Sequence, residues 1–121
     1  MSEDVAILGA STNPERYSFK AMQALLHHGH NIYLISPKYE IIEGNKVYKS
    51  LDDIPEKVTT LTLYVGEKIS STMEQTIIDL APKRVIFNPG SENQHLNTQL
   101  KRNGIEALEA CTLVMLATDQ F

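Results

Sequence analysis

A chain of 121 residues, 42% apolar and 21% charged, is the size of one domain and can bury a core without disulfides or metal. A net charge of −4 with no block of like charges argues against nucleic acid as a partner, and no apolar run approaches the roughly 20 residues of a membrane span. The acidic start Met1-Ser2-Glu3-Asp4 lacks the basic region and apolar core of a signal peptide, and the single Cys111 excludes an internal disulfide, so a cytoplasmic protein is expected.

Strand-like and helix-like segments alternate along the chain. Val5–Leu8 reads as a buried strand that runs into Gly9. Phe19, Met22, Leu25 and Leu26 repeat at helical spacing, which predicts a helix over 17–28 closed by Gly29. Ile32–Ile35 is the second strand, stopped by Ser36-Pro37. Residues 39–50 read as a loop, with Gly44-Asn45 as a turn signal and Val47-Tyr48 as a short extended piece. Ser50–Pro55 has the pattern of one capped helical turn, and Thr60–Val65 is the third strand. Ser70 or Ser71 is suited to cap a second helix through Met73, Ile77, Ile78 and Leu80, ended by Pro82. Arg84–Phe87 is the fourth strand, closed by Asn88-Pro89-Gly90. Ser91 and Glu92 open a third helix through Leu96 and Leu100 to Gly104. Ile105–Leu108 is the fifth strand, and 111–117 is a last apolar piece, either strand or short helix. This order predicts a single α/β domain, a doubly wound parallel five-stranded sheet with helices on both faces. Ligands of such sheets sit outside the carboxyl ends of the strands.

The loop after the first strand is the strongest functional signal. Gly9-Ala10-Ser11-Thr12-Asn13-Pro14-Glu15-Arg16 joins a buried strand to a helix N-terminus, where backbone N–H groups and the helix dipole favour an anion. Ser11 stands where the dinucleotide fingerprint has its second glycine, and the Gly-Lys-Ser/Thr of a Walker loop is absent. At the end of the second strand an NAD protein usually carries Asp or Glu; this chain has Ser36-Pro37-Lys38-Tyr39. A cation there suits a phosphorylated ribose, as in NADP or coenzyme A. Arg16 is a second candidate phosphate partner.

These residues resemble a known family. Gly9 through Ser18, Ile35-Ser36-Pro37-Lys38-Tyr39 and Gly44 through Pro55 are similar to the small single-domain CoA-binding proteins of the YccU-like group. That group is related to the CoA-binding domain of the succinyl-CoA synthetase alpha subunit. The resemblance covers nearly the whole chain. It implies a Rossmann-like domain that binds coenzyme A or an acyl-CoA. By position, Gly9, Ala10, Ser11, Asn13, Arg16 and Ser18 would form the pyrophosphate loop. Pro37 and Lys38 would meet the adenosine and its phosphate, and Val65 with Gly66, then Pro89 and Gly90, would line the pantetheine path. The chain departs from the family pattern after the fourth strand, where a Gln-Leu-Gly-like run is replaced by Asn88-Pro89-Gly90. It departs again before Cys111, where the basic neighbour is missing.

Without that cation Cys111 reads as a small buried hydrophobe, or as a partner for the CoA thiol in a mixed disulfide. His27, His28 and His30 fall at a helix end, where they meet the dipole, and no metal site is expected. No nucleophile–base–orienter set is visible, so the chain reads as a ligand-binding module rather than an enzyme. The alternatives are a small NADP-binding oxidoreductase, a CoA-dependent acyl transferase using Cys111, and an interaction module without a ligand. A protein partner or a homodimer is left open.

Overall fold

The computed structural model describes residues 2–55 and 57–121. In chain order its elements are β1 (Asp4–Leu8), α1 (Tyr17–His27), β2 (Asn31–Ile35), β3 (Ile41–Ile42), β4 (Asn45–Tyr48), a 3-10 turn (Leu51–Asp53), β5 (Thr60–Leu63), α2 (Glu67–Ser71), α3 (Glu74–Leu80), β6 (Arg84–Phe87), α4 (Gln94–Arg102), β7 (Glu106–Glu109) and α5 (Thr112–Ala117). Val5 to Leu8 are apolar without alternation and are all buried, as a strand covered on both faces must be. β1 accordingly lies inside the sheet, parallel to β2 on one side and to β5 on the other. The strand order is β3-β4-β2-β1-β5-β6-β7, and every pairing is parallel except that of β3 with β4. The chain moves outward from β1 through β2, then returns to the other side of β1 at β5. That reversal opens a crevice at the carboxyl ends of the strands.

Two cores follow from the two-residue period of the strands. Ala6, Leu8, Leu61 and Leu63 face Ile77 of α3 and Leu96 and Leu100 of α4. Val5, Ile7 and Leu34 face Phe19, Met22 and Leu25 of α1 and Leu116 of α5. Helices therefore cover both faces, and the doubly wound Rossmann-like class holds.

The strand count is seven, not the expected five. The segment read as a loop over 39–50 contains a hairpin. Glu43 and Gly44 have φ of 49° and 77°, the two positive values a two-residue type I′ turn requires. The hairpin docks because it buries Ile42 and Val47, and β4 extends the sheet beside β2. The second expected helix is also divided. Ser70 does not cap it but lies buried inside α2, and the chain breaks at Thr72-Met73 before α3 begins. The cap of α4 is Asn93 rather than Ser91 or Glu92, its side-chain oxygen accepting from Leu96 N at 3.1 Å. Residues 111–117 resolve as the helical alternative, α5. Among the described residues no helix is long and apolar enough to cross a membrane, and no three His, Cys, Asp or Glu side chains could hold a metal ion.

The amino-terminal edge of the sheet is closed by a polar cluster. Arg84 pairs with Glu3 at 3.4 Å and donates to Thr60 Oγ1 at 2.8 Å, and its guanidinium stacks 4.4 Å from the Phe121 ring centre. His30 is buried beside them, and its Nδ1 accepts from Glu3 N at 2.9 Å. Burial holds its pKa below the usual 6.5; Glu3 pulls it up, while His28 and Arg84 push it down. The folded pKa lies below the unfolded one, so the unfolded chain binds more protons in between. Stability from this site is full above pH 6.5 and is lost as pH falls through the folded pKa. Thermal unfolding between pH 5 and 8 should show a loss on acidification that shrinks in His30→Asn; equal pH profiles would rule the effect out.

Candidate functional site

The carboxyl ends of β1, β2 and β5 frame a cavity of about 470 Å³. From β1 it receives Leu8, Gly9, Ala10, Ser11 and Arg16. From β2 come Ile35, Ser36, Pro37, Lys38 and Tyr39. From β5 and the helices beyond it come Tyr64, Val65, Gly66, Ile69 and Met73, while Lys49 enters from the end of β4. This volume lies in the range of small-molecule sites.

The loop after β1 is folded by its own polar groups. Gly9 N and Ala10 N both donate to Ile35 O, at 3.0 and 3.2 Å, which holds the loop against the end of β2. Ser11 Oγ accepts from Asn13 N at 3.0 Å, and Asn13 Oδ1 accepts from Glu15 N at 3.0 Å. These two side chains thus hold the turn that delivers Arg16 to α1. Among the described residues no side chain caps α1, and its first turn has no acidic residue, so its first backbone N–H groups are left for another partner. Gly9 is at φ +95°, and a Cβ there would lie 2.8 Å from Tyr64 O and 3.0 Å from Val65 Cγ1. Glycine is what lets β1 and β5 come this close at the cavity floor.

Charge sets the character of the cavity. The chain has 15 acidic and 11 basic residues. Yet among the described residues the lining holds three cations, Arg16, Lys38 and Lys49, and no carboxylate. Tyr39 stands half-buried among them. Its phenol is held below the usual pKa of 10, foremost by the Thr12 hydroxyl donating toward the phenol oxygen; partial burial opposes this, and Ser11 and the Lys38 and Arg16 cations add to it. The other side is apolar, made by Val65, Ile69 and Met73. Tyr64 is different again. Its hydroxyl is buried with no hydrogen-bond partner among the described residues. Burial pushes its pKa up to about 12, although the nearby Thr112 and Thr62 hydroxyls favour the phenolate and Cys111 disfavours it. At neutral pH it stays a neutral phenol.

The cavity brings together Gly9, Ala10, Ser11, Arg16, Pro37, Lys38, Val65 and Gly66 from the residues singled out in the sequence. Asn13 shapes the loop from outside, and Ser18 is buried in the first turn of α1; neither lines the cavity. Pro89 and Gly90 are exposed after β6, one strand further along the edge, and Cys111 is half-buried at the start of α5; these also lie off the cavity wall. Tyr39, Lys49, Tyr64, Ile69 and Met73 line the cavity as well, although the sequence marks none of them as a site residue. A further buried group is Asn88, read from sequence only as the stop of a strand. Its amide donates to Thr62 Oγ1 at 2.6 Å and Leu63 O at 2.9 Å, and its oxygen accepts from Thr112 N at 2.9 Å. It ties β5, β6 and α5 together behind Tyr64.

Fold and cavity together define a Rossmann-like α/β domain with a cation-lined crevice at its switch point. Residues 3–117 match the family described as CoA binding domain, and the chain belongs to that family. Over 82 residues it is 29% identical to the acetate–CoA ligase [ADP-forming] II subunit alpha of Pyrococcus furiosus, a match covering 67% of this chain and 17% of that subunit. The chain thus spans about a sixth of the length of that curated relative. Among solved structures it is similar to an uncharacterised protein at 38% identity and TM-score 0.94, with 100% of this chain and 99% of the other covered. It is also similar to a hypothetical protein from Pyrococcus horikoshii at 30% identity and TM-score 0.89, covering 94% of this chain and 81% of that one.

Proposed function

We propose that this chain binds coenzyme A or an acyl-CoA in the cavity at the ends of β1, β2 and β5, as an accessory or non-catalytic binding protein. The observation that carries the reading is a lining of three cations and, among the described residues, no carboxylate, on a chain of negative net charge. Such a site attracts a ligand with several phosphates and gains little from a neutral one. Membership of the CoA binding domain family and a relative that carries CoA in its name support the same ligand.

In this reading the loop of Gly9, Ala10 and Ser11, shaped by Asn13 and backed by Ser18, receives the pyrophosphate at the uncapped end of α1, with Arg16 beside it. Pro37 and Lys38 receive the adenosine and its ribose phosphate. Val65 and Gly66 begin the pantetheine path, and Pro89 and Gly90 meet the part of the ligand that extends past the cavity.

A thermal-shift series with CoA, acetyl-CoA, dephospho-CoA, NADP and NAD tests this. A ligand at about 100 times its dissociation constant adds about 2.7 kcal/mol of stability, a clear rise in Tm. CoA and acetyl-CoA should stabilise, and dephospho-CoA should do much less. A shift with NADP alone would assign the site to a nicotinamide ligand instead. No shift with any of them would turn the search to a protein partner.

A further inference from the structure

The apolar wall of the cavity stands on a helix too short to hold itself. Ile69 and Met73 line the cavity, and Ile69 is in α2, which has five residues. A single turn of helix is not stable on its own, because nucleation fixes several residues for one hydrogen bond. The cap of α2 is Gly66, which offers no side chain, and the chain breaks again at Thr72-Met73. An outside support is therefore required, and the structure contains one.

That support is the amide of Asn93. Ser70 is fully buried on the side of α2 away from solvent, and Asn93 is 1% exposed. Asn93 Nδ2 donates to Ser70 Oγ at 2.8 Å and to Ser71 Oγ at 3.0 Å. The same side chain caps α4 through its oxygen. Both amide hydrogens and the oxygen are thus used in one buried group that joins two helices. Buried polar groups satisfied in this way set one arrangement, since a shift of α2 would leave the amide unpaired in the core.

We infer that Asn93 and Ser70 are positioning residues for the ligand: they fix where the Ile69–Met73 wall stands against the cationic side of the cavity. Neither residue lines the cavity. They act through Ile69. This rests on the CoA reading of the site.

The test is a double-mutant cycle on CoA affinity, measured by titration calorimetry, with Tm recorded for each variant. Ser70→Ala leaves the α4 cap in place, removes the bond from Asn93 and the longer one from Ser70 Oγ to Glu67 O at 3.4 Å, and should weaken CoA binding about fivefold. Asn93→Ser keeps a capping hydroxyl but loses the reach to α2, and should do the same. Ile69→Ala should weaken CoA binding comparably, and Ser70→Ala added to it should change little more, because the two act on one contact. A purely structural pin would lower Tm and leave affinity unchanged, and that result overturns the inference, as does full additivity of Ser70→Ala with Ile69→Ala. Wild-type protein with no affinity for CoA would overturn the reading of the site and the positioning role with it. Wild-type binding that is equal in Ser70→Ala and Asn93→Ser would overturn the positioning role alone.

Discussion

Gly9→Ala should lower Tm by roughly 8–16 °C, corresponding to a loss of about 2–4 kcal/mol in a domain of this size. Two costs add. The backbone at φ +95° is strained for any residue with a Cβ. The new methyl would also lie 2.8 Å from a backbone oxygen, that of Tyr64, and a backbone atom cannot swing aside as a side chain can. Relief requires β1 and β5 to separate at the point where the cavity floor is built, so ligand binding should fall together with stability. Gly44→Ala is the control. Gly44 also has a positive φ, of 77°, but nothing lies within 4 Å of its added Cβ, so only the conformational cost of about 1 kcal/mol remains. Thermal unfolding of the two variants separates the terms. Equal, small losses in both would show that the close approach at Gly9 has no energetic weight.

Lys38→Glu should raise the dissociation constant for CoA by about tenfold to a hundredfold, the range expected for losing a charge-assisted phosphate contact. Reversal places a carboxylate in a lining that has none and brings it near Arg16 and Lys49 in the same cavity. The informative quantity is a ratio. Wild-type protein should prefer CoA over dephospho-CoA, and the variant should lose that preference, because the two ligands differ only in the ribose phosphate. Calorimetric titration of both ligands into both proteins measures it. An unchanged preference in Lys38→Glu would make Lys38 a solvated surface cation and pass the phosphate to Lys49 or Arg16.

The comparison of sequence with structure divides along the distance over which each signal acts. The strand of Val5–Leu8, its Gly9 stop, the helix at Tyr17 and the cation at Lys38 are all legible, since burial pattern, turn chemistry and strand-end position are local properties. The helix over Met73–Leu80 was legible as a period, but its start was not. Ser70 looks like a cap in sequence, whereas its hydroxyl is taken by Asn93, 23 residues later. The hairpin of β3 and β4 was hidden for a related reason. Each strand is short, and Ile42 and Val47 are buried only in the packed fold, where β4 pairs with the edge of β2 and β3 with β4.

The α/β alternation, the parallel sheet, the glycine at the floor of the crevice and the likeness to CoA-binding proteins can all be read from residues a few positions apart, because each is a local property. Tertiary structure alone decided that Lys49 joins Arg16 and Lys38, that Tyr39 stands between their loops, and that α2 brings Ile69 to the opposite wall. Those neighbours are set by strand order. Pairing β4 with β2 and β5 with β1 places residues tens of positions apart at one sheet edge, and the free energy that selects this order is the burial of two whole faces, which no short stretch of sequence contains.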